Sequence, residues 1–176
     1  MAEAVFMDRD GTLIVDVGYC SHADQVRLLP RVKENLHRLK ARGLKLVIIT
    51  NQSGIGRGYF AEANFWSVQK KLEEKIGPGV IDATYFCPDR PGEDSARRKP
   101  APGMLLEAAR DLGIDLPRSF MVGDQCSDVE AGIRAGVKAS ILIRAPGTGV
   151  VAKSGAALVA ADFGETTDFI LERLDE

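Results

Sequence analysis

Phe6-Met7-Asp8-Arg9-Asp10-Gly11-Thr12 is the stretch on which the reading of this chain turns. It ends the apolar run Ala4 to Met7 with two acids one residue apart. An extended segment points side chains i and i+2 the same way, so Asp8 and Asp10 face one small volume. Neighbouring carboxylates resist ionising together unless one takes a proton or a cation offsets their repulsion. Alone, the stretch also fits a simple turn, because Asp and Gly favour that geometry. A calcium loop fits poorly: the glycine comes too early, and Tyr19 stands where a closing Glu belongs.

Outward from this stretch, short apolar runs alternate with amphipathic segments, the pattern of a mostly parallel sheet covered by helices. Strands are expected at Ala4 to Met7, Leu44 to Thr50, Val80 to Phe86, Ser119 to Val122, Ala139 to Ile143 and Ala157 to Val159. Val32, Leu36 and Leu39 share one helical face that stops at Gly43. Phe65, Val68, Leu72 and Ile76 form a second, ended by Gly77-Pro78-Gly79, and Met104, Leu105, Ala108 and Leu112 a third, closed by Gly113. A short helix from Ser127 to Ala135 and a last one through Phe169, Ile170 and Leu174 complete the set. The fold class is therefore α/β, a Rossmann-like parallel sheet flanked by helices. The irregular segments Leu13 to Leu29 and Pro88 to Pro102 are long enough to be functional, and neither holds a large inserted cap domain.

The 176 residues suit one domain, 1–176, of ordinary globular balance, with 45% apolar and 27% charged residues. A formal charge of −2 gives no pull toward nucleic acid or anionic membrane and directs attention to a small-molecule partner. Three scattered cysteines, Cys20, Cys87 and Cys126, do not form an extracellular disulfide framework and fit a reducing cytoplasm. The first residues lack the signature of a signal peptide, and no apolar run is long enough to span a bilayer.

Four pieces fall just past the expected carboxyl ends of strands or before a helix, where α/β sheets bind ligands. They are Asp8-x-Asp10-Gly11-Thr12, Thr50-Asn51-Gln52-Ser53-Gly54, Arg97-Arg98-Lys99-Pro100 and Gly123-Asp124-Gln125-Cys126-Ser127-Asp128. Each has a plain structural reading. Gly54-Ile55-Gly56-Arg57-Gly58 lacks the Lys-Ser/Thr ending of a P-loop, the basic run is short enough to be merely solvated, and Asp124 and Asp128 could serve only to start a helix. Together they suit phosphoryl transfer: Asp8 and Asp124 as hard oxygen ligands for Mg²⁺, Thr50 and Lys99 as donors to phosphoryl oxygens, and Asp10 free to move a proton.

In order and context these pieces resemble motifs I to IV of the haloacid dehalogenase superfamily of phosphohydrolases. The longer series Phe-Met-Asp-Arg-Asp-Gly-Thr, Val-Asp-x-Gly-Tyr, Thr-Asn-Gln-Ser-Gly-Ile-x-Arg-Gly, Tyr-Phe-Cys-Pro, Arg-Lys-Pro-x-Pro-Gly-Met-Leu and Met-Val-Gly-Asp is similar to the heptose 1,7-bisphosphate 7-phosphatase family, relatives of histidinol-phosphate phosphatases. The resemblance implies Asp8 as nucleophile forming an aspartyl-phosphate, Asp10 as acid and base, and Thr50 and Lys99 as stabilisers of the transferring group. It implies Mg²⁺ held by Asp8, the backbone carbonyl of Asp10 and Asp124. Asp16, Val17, Gly18 and Tyr19 would line the substrate entrance, with Asn51, Gln52 and Ser53 beside the phosphate. Arg98 would recognise the distal end of a sugar bisphosphate, and Arg57 is a weaker candidate.

The same resemblance sets expectations about the loop after the third strand, where many relatives carry a structural zinc on a Cys-x-His pair and a Cys-x-Cys pair. Here Cys87 remains, but Asp89, Ser95 and Arg97 stand at the other positions, and one soft ligand cannot close a four-coordinate site. No structural zinc is expected. The alternatives are a histidinol-phosphate phosphatase, disfavoured because a cationic substrate would prefer carboxylates where Arg97 and Arg98 stand, and a non-enzymatic phospho-acceptor domain, which has no use for Asp10. A cytoplasmic monomer acting on a sugar bisphosphate, binding neither nucleic acid nor membrane, is the expected form.

Overall fold

A computed structural model describes residues 1–144 and 154–174. Six strands, β1 (Ala4–Met7), β2 (Lys45–Asn51), β3 (Ala83–Cys87), β4 (Phe120–Gly123), β5 (Ala139–Ile143) and β6 (Leu158–Ala160), form one sheet in the order β3-β2-β1-β4-β5-β6. Every pairing is parallel. The helices are α1 (Val32–Ala41), α2 (Ser53–Gly56), α3 (Glu62–Ile76), α4 (Gly103–Leu112), α5 (Cys126–Ala135) and α6 (Phe163–Arg173). No helix among the described residues is long and apolar enough to cross a membrane.

Parallel strands need crossovers, and the crossover helices cover both sheet faces, so central strands are apolar throughout. In β1, alternation sends Val5 and Met7 into one core with α1, α3 and α6, and Ala4 and Phe6 into a second core with α4 and α5. The expected helical faces are those buried: Val32, Leu36 and Leu39 on α1, Phe65, Val68, Leu72 and Ile76 on α3, and Met104, Leu105 and Ala108 on α4.

The chain builds β2 and β3 on one side of β1, then returns to lay β4 on the other. The strand order therefore reverses between β1 and β4, and a crevice opens at their carboxyl ends. The ladder continues one residue past β1, where the Asp8 N–H donates to the Val122 carbonyl at 2.9 Å. Asp8 and Asp124 consequently leave the sheet side by side, although 116 positions apart in the chain.

Strands β1 and β5 have the expected bounds, and β2, β4 and β6 shift by one residue. β3 begins at Ala83 rather than Val80. Asp82 explains the delay: its carboxylate accepts the Leu46 N–H at 2.7 Å and meets Lys40 at 2.6 Å, so a side chain takes the first ladder position. The segment from Leu13 to Leu29 is a flap that leaves and returns antiparallel. Val15 N–H donates to Arg27 O at 2.9 Å, and Leu29 N–H donates to Leu13 O at 3.0 Å.

The start of β1 is fastened to the approach of β4 by Ser119, whose hydroxyl accepts the Ala4 N–H at 3.0 Å and donates to the Asp115 carbonyl at 2.6 Å. Ser119→Ala leaves the fully buried Ala4 N–H unpaired and removes one of two donors to the Asp115 carbonyl, which keeps the Arg118 N–H at 3.2 Å. It is expected to lower unfolding free energy by about 1–3 kcal/mol, measured by urea denaturation, with the slope against denaturant unchanged.

Candidate active site

The site is assembled around Lys99, which reaches back from the loop before α4 to the ends of β1 and β2. Its ammonium lies 2.7 Å from Asp8 Oδ1, 2.7 Å from Asp128 Oδ1 and 2.8 Å from the Ile49 carbonyl. An ammonium has three donors, and these contacts use all of them. The backbone is held as firmly. Asn51 accepts the Lys99 N–H through Oδ1 and donates to the Lys99 carbonyl through Nδ2, both at 3.1 Å.

Asp128 does more than start a helix. One oxygen holds Lys99, while Oδ2 accepts the Gln125 N–H at 3.0 Å and caps the start of α5. Gly123 makes this possible, since a Cβ there would overlap the Asp128 side chain. Gly11 is constrained twice: its φ of +87° is left-handed, and a Cβ would strike the Asp124 carboxylate. Asp124 Oδ1 accepts from the Thr12 hydroxyl at 3.4 Å, and Oδ2 accepts from Gln125 at 3.0 Å.

Asp8, Asp124 and Asp128 each offer a carboxylate oxygen, and the three lie within 4.8 Å of one another. Burial pushes the Asp8 carboxyl well above its ordinary value; Lys99 pulls it down, but Asp128 and Asp124 add to the rise. Burial and then Asp128 raise Asp124 as well. Burial opposes the Lys99 charge, yet Asp128 and Asp8 outweigh it and hold the ammonium above its usual range. Burial first, and then three carboxylates facing one cation, keep Asp8 raised despite its ion pair. The surplus of hard oxygen donors fits a second cation of the Mg²⁺ type.

Asp10 turns away from this cluster. Its Oδ2 accepts from Arg9 Nε at 2.9 Å and Gln52 Nε2 at 3.0 Å, and Oδ1 accepts from Arg9 Nη2 at 3.3 Å. The same Gln52 amide donates to the Thr50 hydroxyl at 2.9 Å, joining Asp10 to the end of β2.

One cleft of about 260 Å³ has a wall that includes Asp8, Asp10, Asp16, Gly18, Tyr19, Thr50, Asn51, Gln52, Ser53, Arg98, Lys99 and Asp128. Val17 is exposed on the same flap and lies outside this wall, as does Asp124. Arg57, the residue after α2, is exposed and is no part of the wall. Hydrogen bonds pin the loop that carries Arg98. Cys87 and Ser95 both meet Asp89, Ser95 Oγ accepts the Arg97 and Arg98 N–H groups at 3.3 and 3.1 Å, and Arg98 Nη1 donates to Asp89 O at 2.9 Å. Sequence reasoning missed Arg9. It is fully buried, and period-two alternation had placed it facing away from both acids.

Charge crowding gives a test without any metal. In chelator-treated protein, Asp124→Asn removes one of three mutually repelling carboxylates, so its Tm near neutral pH is expected above that of wild type. The folded-state pKa of Asp124 is raised, so protonation favours the fold and wild type gains stability as pH falls through that value. The Tm difference should therefore shrink toward acid pH. A difference that stays constant with pH contradicts the crowding account.

Comparison with known proteins bears on what this arrangement is. The family model of the haloacid dehalogenase-like hydrolases matches residues 16–136, more than half of the chain. The chain is 44% identical over 152 residues to the D-glycero-beta-D-manno-heptose-1,7-bisphosphate 7-phosphatase of Pasteurella multocida, covering 82% of this chain and 83% of that protein. It is 39% identical over 150 residues to the same phosphatase of Escherichia coli K12, covering 80% and 78%. Among solved structures, D,D-heptose 1,7-bisphosphate phosphatase from B. bronchiseptica, complexed with magnesium and phosphate, superposes with a TM-score of 0.85 at 29% identity, over 97% of this chain and 98% of that one. With its six-stranded parallel sheet and its acids at the switch point, the chain belongs to the haloacid dehalogenase-like hydrolases.

Proposed function

We propose that this protein is a Mg²⁺-dependent phosphatase that removes the 7-phosphate of D-glycero-β-D-manno-heptose 1,7-bisphosphate, in the synthesis of nucleotide-activated heptose. The observation that carries the reading is a buried aspartate, Asp8, held by Lys99 at 2.7 Å and opening onto a polar cleft. The names of its relatives direct the reading to the heptose bisphosphate. One domain carries every side chain the reaction uses, which suits a monomer, and the free thiols of Cys20, Cys87 and Cys126 suit a reducing cytoplasm.

Lys99 holds Asp8 Oδ1 and opposes part of the effect of burial, and the charge of a bound Mg²⁺ would complete the shift to the carboxylate that serves as nucleophile. Asp8 attacks phosphorus, and the bond from phosphorus to the sugar C7 oxygen breaks. Asp10 gives its proton to that departing oxygen. It then takes a proton from the water that attacks phosphorus of the aspartyl-phosphate, which releases inorganic phosphate and restores both carboxyl groups. Thr50 and the charge of Lys99 stabilise the phosphoryl oxygens as charge shifts among them. Asp8, the Asp10 carbonyl and Asp124 would hold Mg²⁺, whose charge offsets the repulsion between an anionic phosphate and Asp8.

Arg98 distinguishes the substrate. Its guanidinium spends one N–H on the Asp89 carbonyl and faces the cleft with a planar fork suited to a second phosphate. A cationic amino alcohol finds no carboxylate at that position. With Mg²⁺ present, phosphate release should show the higher kcat/KM on the β-anomer of the heptose bisphosphate, and the reading fails if histidinol phosphate is the better substrate. Arg98→Lys should raise KM for the bisphosphate by about tenfold while leaving kcat nearly unchanged, and chelation of the metal should stop turnover.

A further inference from the structure

We infer that Arg9 is a positioning residue for proton transfer, holding the Asp10 carboxylate in one orientation toward the departing sugar oxygen; this rests on the reading of Asp10 as acid and base. Arg9 is fully buried, and its guanidinium is unused by the chemistry derived above. Taking a guanidinium out of water is costly unless its charge and donors are met. Two partners meet the charge and two of the three nitrogens, while Nη1 is buried without a hydrogen-bond partner. Nε and Nη2 fork onto the two oxygens of Asp10 at 2.9 and 3.3 Å, and the charge lies 5.0 Å from the ring centroid of Phe65 on α3.

The geometry divides the two oxygens of Asp10. Oδ2 receives both Arg9 Nε and Gln52 Nε2, whereas Oδ1 receives one longer bond. Oδ1 therefore keeps the freer lone pair, and it is the atom that holds and moves the proton. The fork also fixes the plane of the carboxylate, which a point charge could not do. Phe65 fixes the fork in turn, since it is fully buried in packed surroundings. Backbone duties at this position are separate: the Arg9 carbonyl accepts from Thr12, Leu13 and Ile14, whatever its side chain.

Arg9→Lys keeps the charge and loses the fork. Proton donation matters for a sugar alkoxide and little for p-nitrophenolate, while kcat/KM reports only the steps through departure of the alcohol or phenol. For Arg9→Lys, kcat/KM on the heptose bisphosphate is expected to fall roughly 10- to 100-fold, with kcat/KM on p-nitrophenyl phosphate within about twofold of wild type. Equal losses on both esters, or no loss on either, overturn the inference. Should circular dichroism show Arg9→Lys unfolded, Phe65→Leu must show the same split between esters, and its absence is equally fatal. Asp10→Asn, assayed alongside, separates the two claims. If it retains sugar-phosphate turnover, the role of Asp10 falls; if it is inactive while Arg9→Lys is unimpaired, only the role of Arg9 falls.

Discussion

Lys99 brings one positive charge into a nearly closed space that holds three carboxylates, and the rest of the site is arranged around that imbalance. With the ammonium alone, Asp8 remains reluctant to ionise, which is a poor state for a nucleophile. A divalent cation closes most of the deficit and brings its own electrostatic pull on an incoming phosphate. Three carboxylates against one ammonium would come close to charge balance once such a cation is bound.

Topology makes such crowding possible. Asp8 and Asp124 are neighbours only because β1 and β4 pair in parallel across the switch point, and Lys99 arrives from a third segment. Convergence alone would leave these groups loosely held. Asn51 clamps the Lys99 backbone, Asp128 serves the ammonium with one oxygen and the α5 terminus with the other, and Gly11 and Gly123 leave the space that two carboxylates fill. Precision here comes from small residues and paired hydrogen bonds on rigid strand ends.

How much of this was legible in the sequence depended on whether a signal was local. The sheet, its helices and the approximate positions of all six strands followed from buried apolar runs such as Phe120 to Val122, because parallel central strands need apolar residues on both faces. The late start of β3 was not legible: Val80 and Ile81 look like strand, but Asp82 takes the ladder position through its side chain. Within the site, acids at strand ends could be read directly. The capping role of Asp128 could be read because its partner lies three residues away, but its hold on Lys99 could not be settled, since that partner lies on another segment. Arg9 was invisible for the same reason that made Asp8 and Asp10 conspicuous. Alternation sends it away from them, and only the turn at Gly11, with a phenylalanine from α3, brings its guanidinium onto Asp10.

The claim at the centre is that the carboxylate held by Lys99 bonds covalently to phosphorus. Acid-quenching the enzyme during turnover of the heptose bisphosphate, followed by peptide mass spectrometry, tests it most directly. The account predicts one phosphoryl group on the peptide that contains Asp8, localised to that residue and lost under mild alkali. A phosphoryl group on any other residue, or none under conditions where turnover is rapid and hydrolysis of the intermediate is rate-limiting, would contradict it.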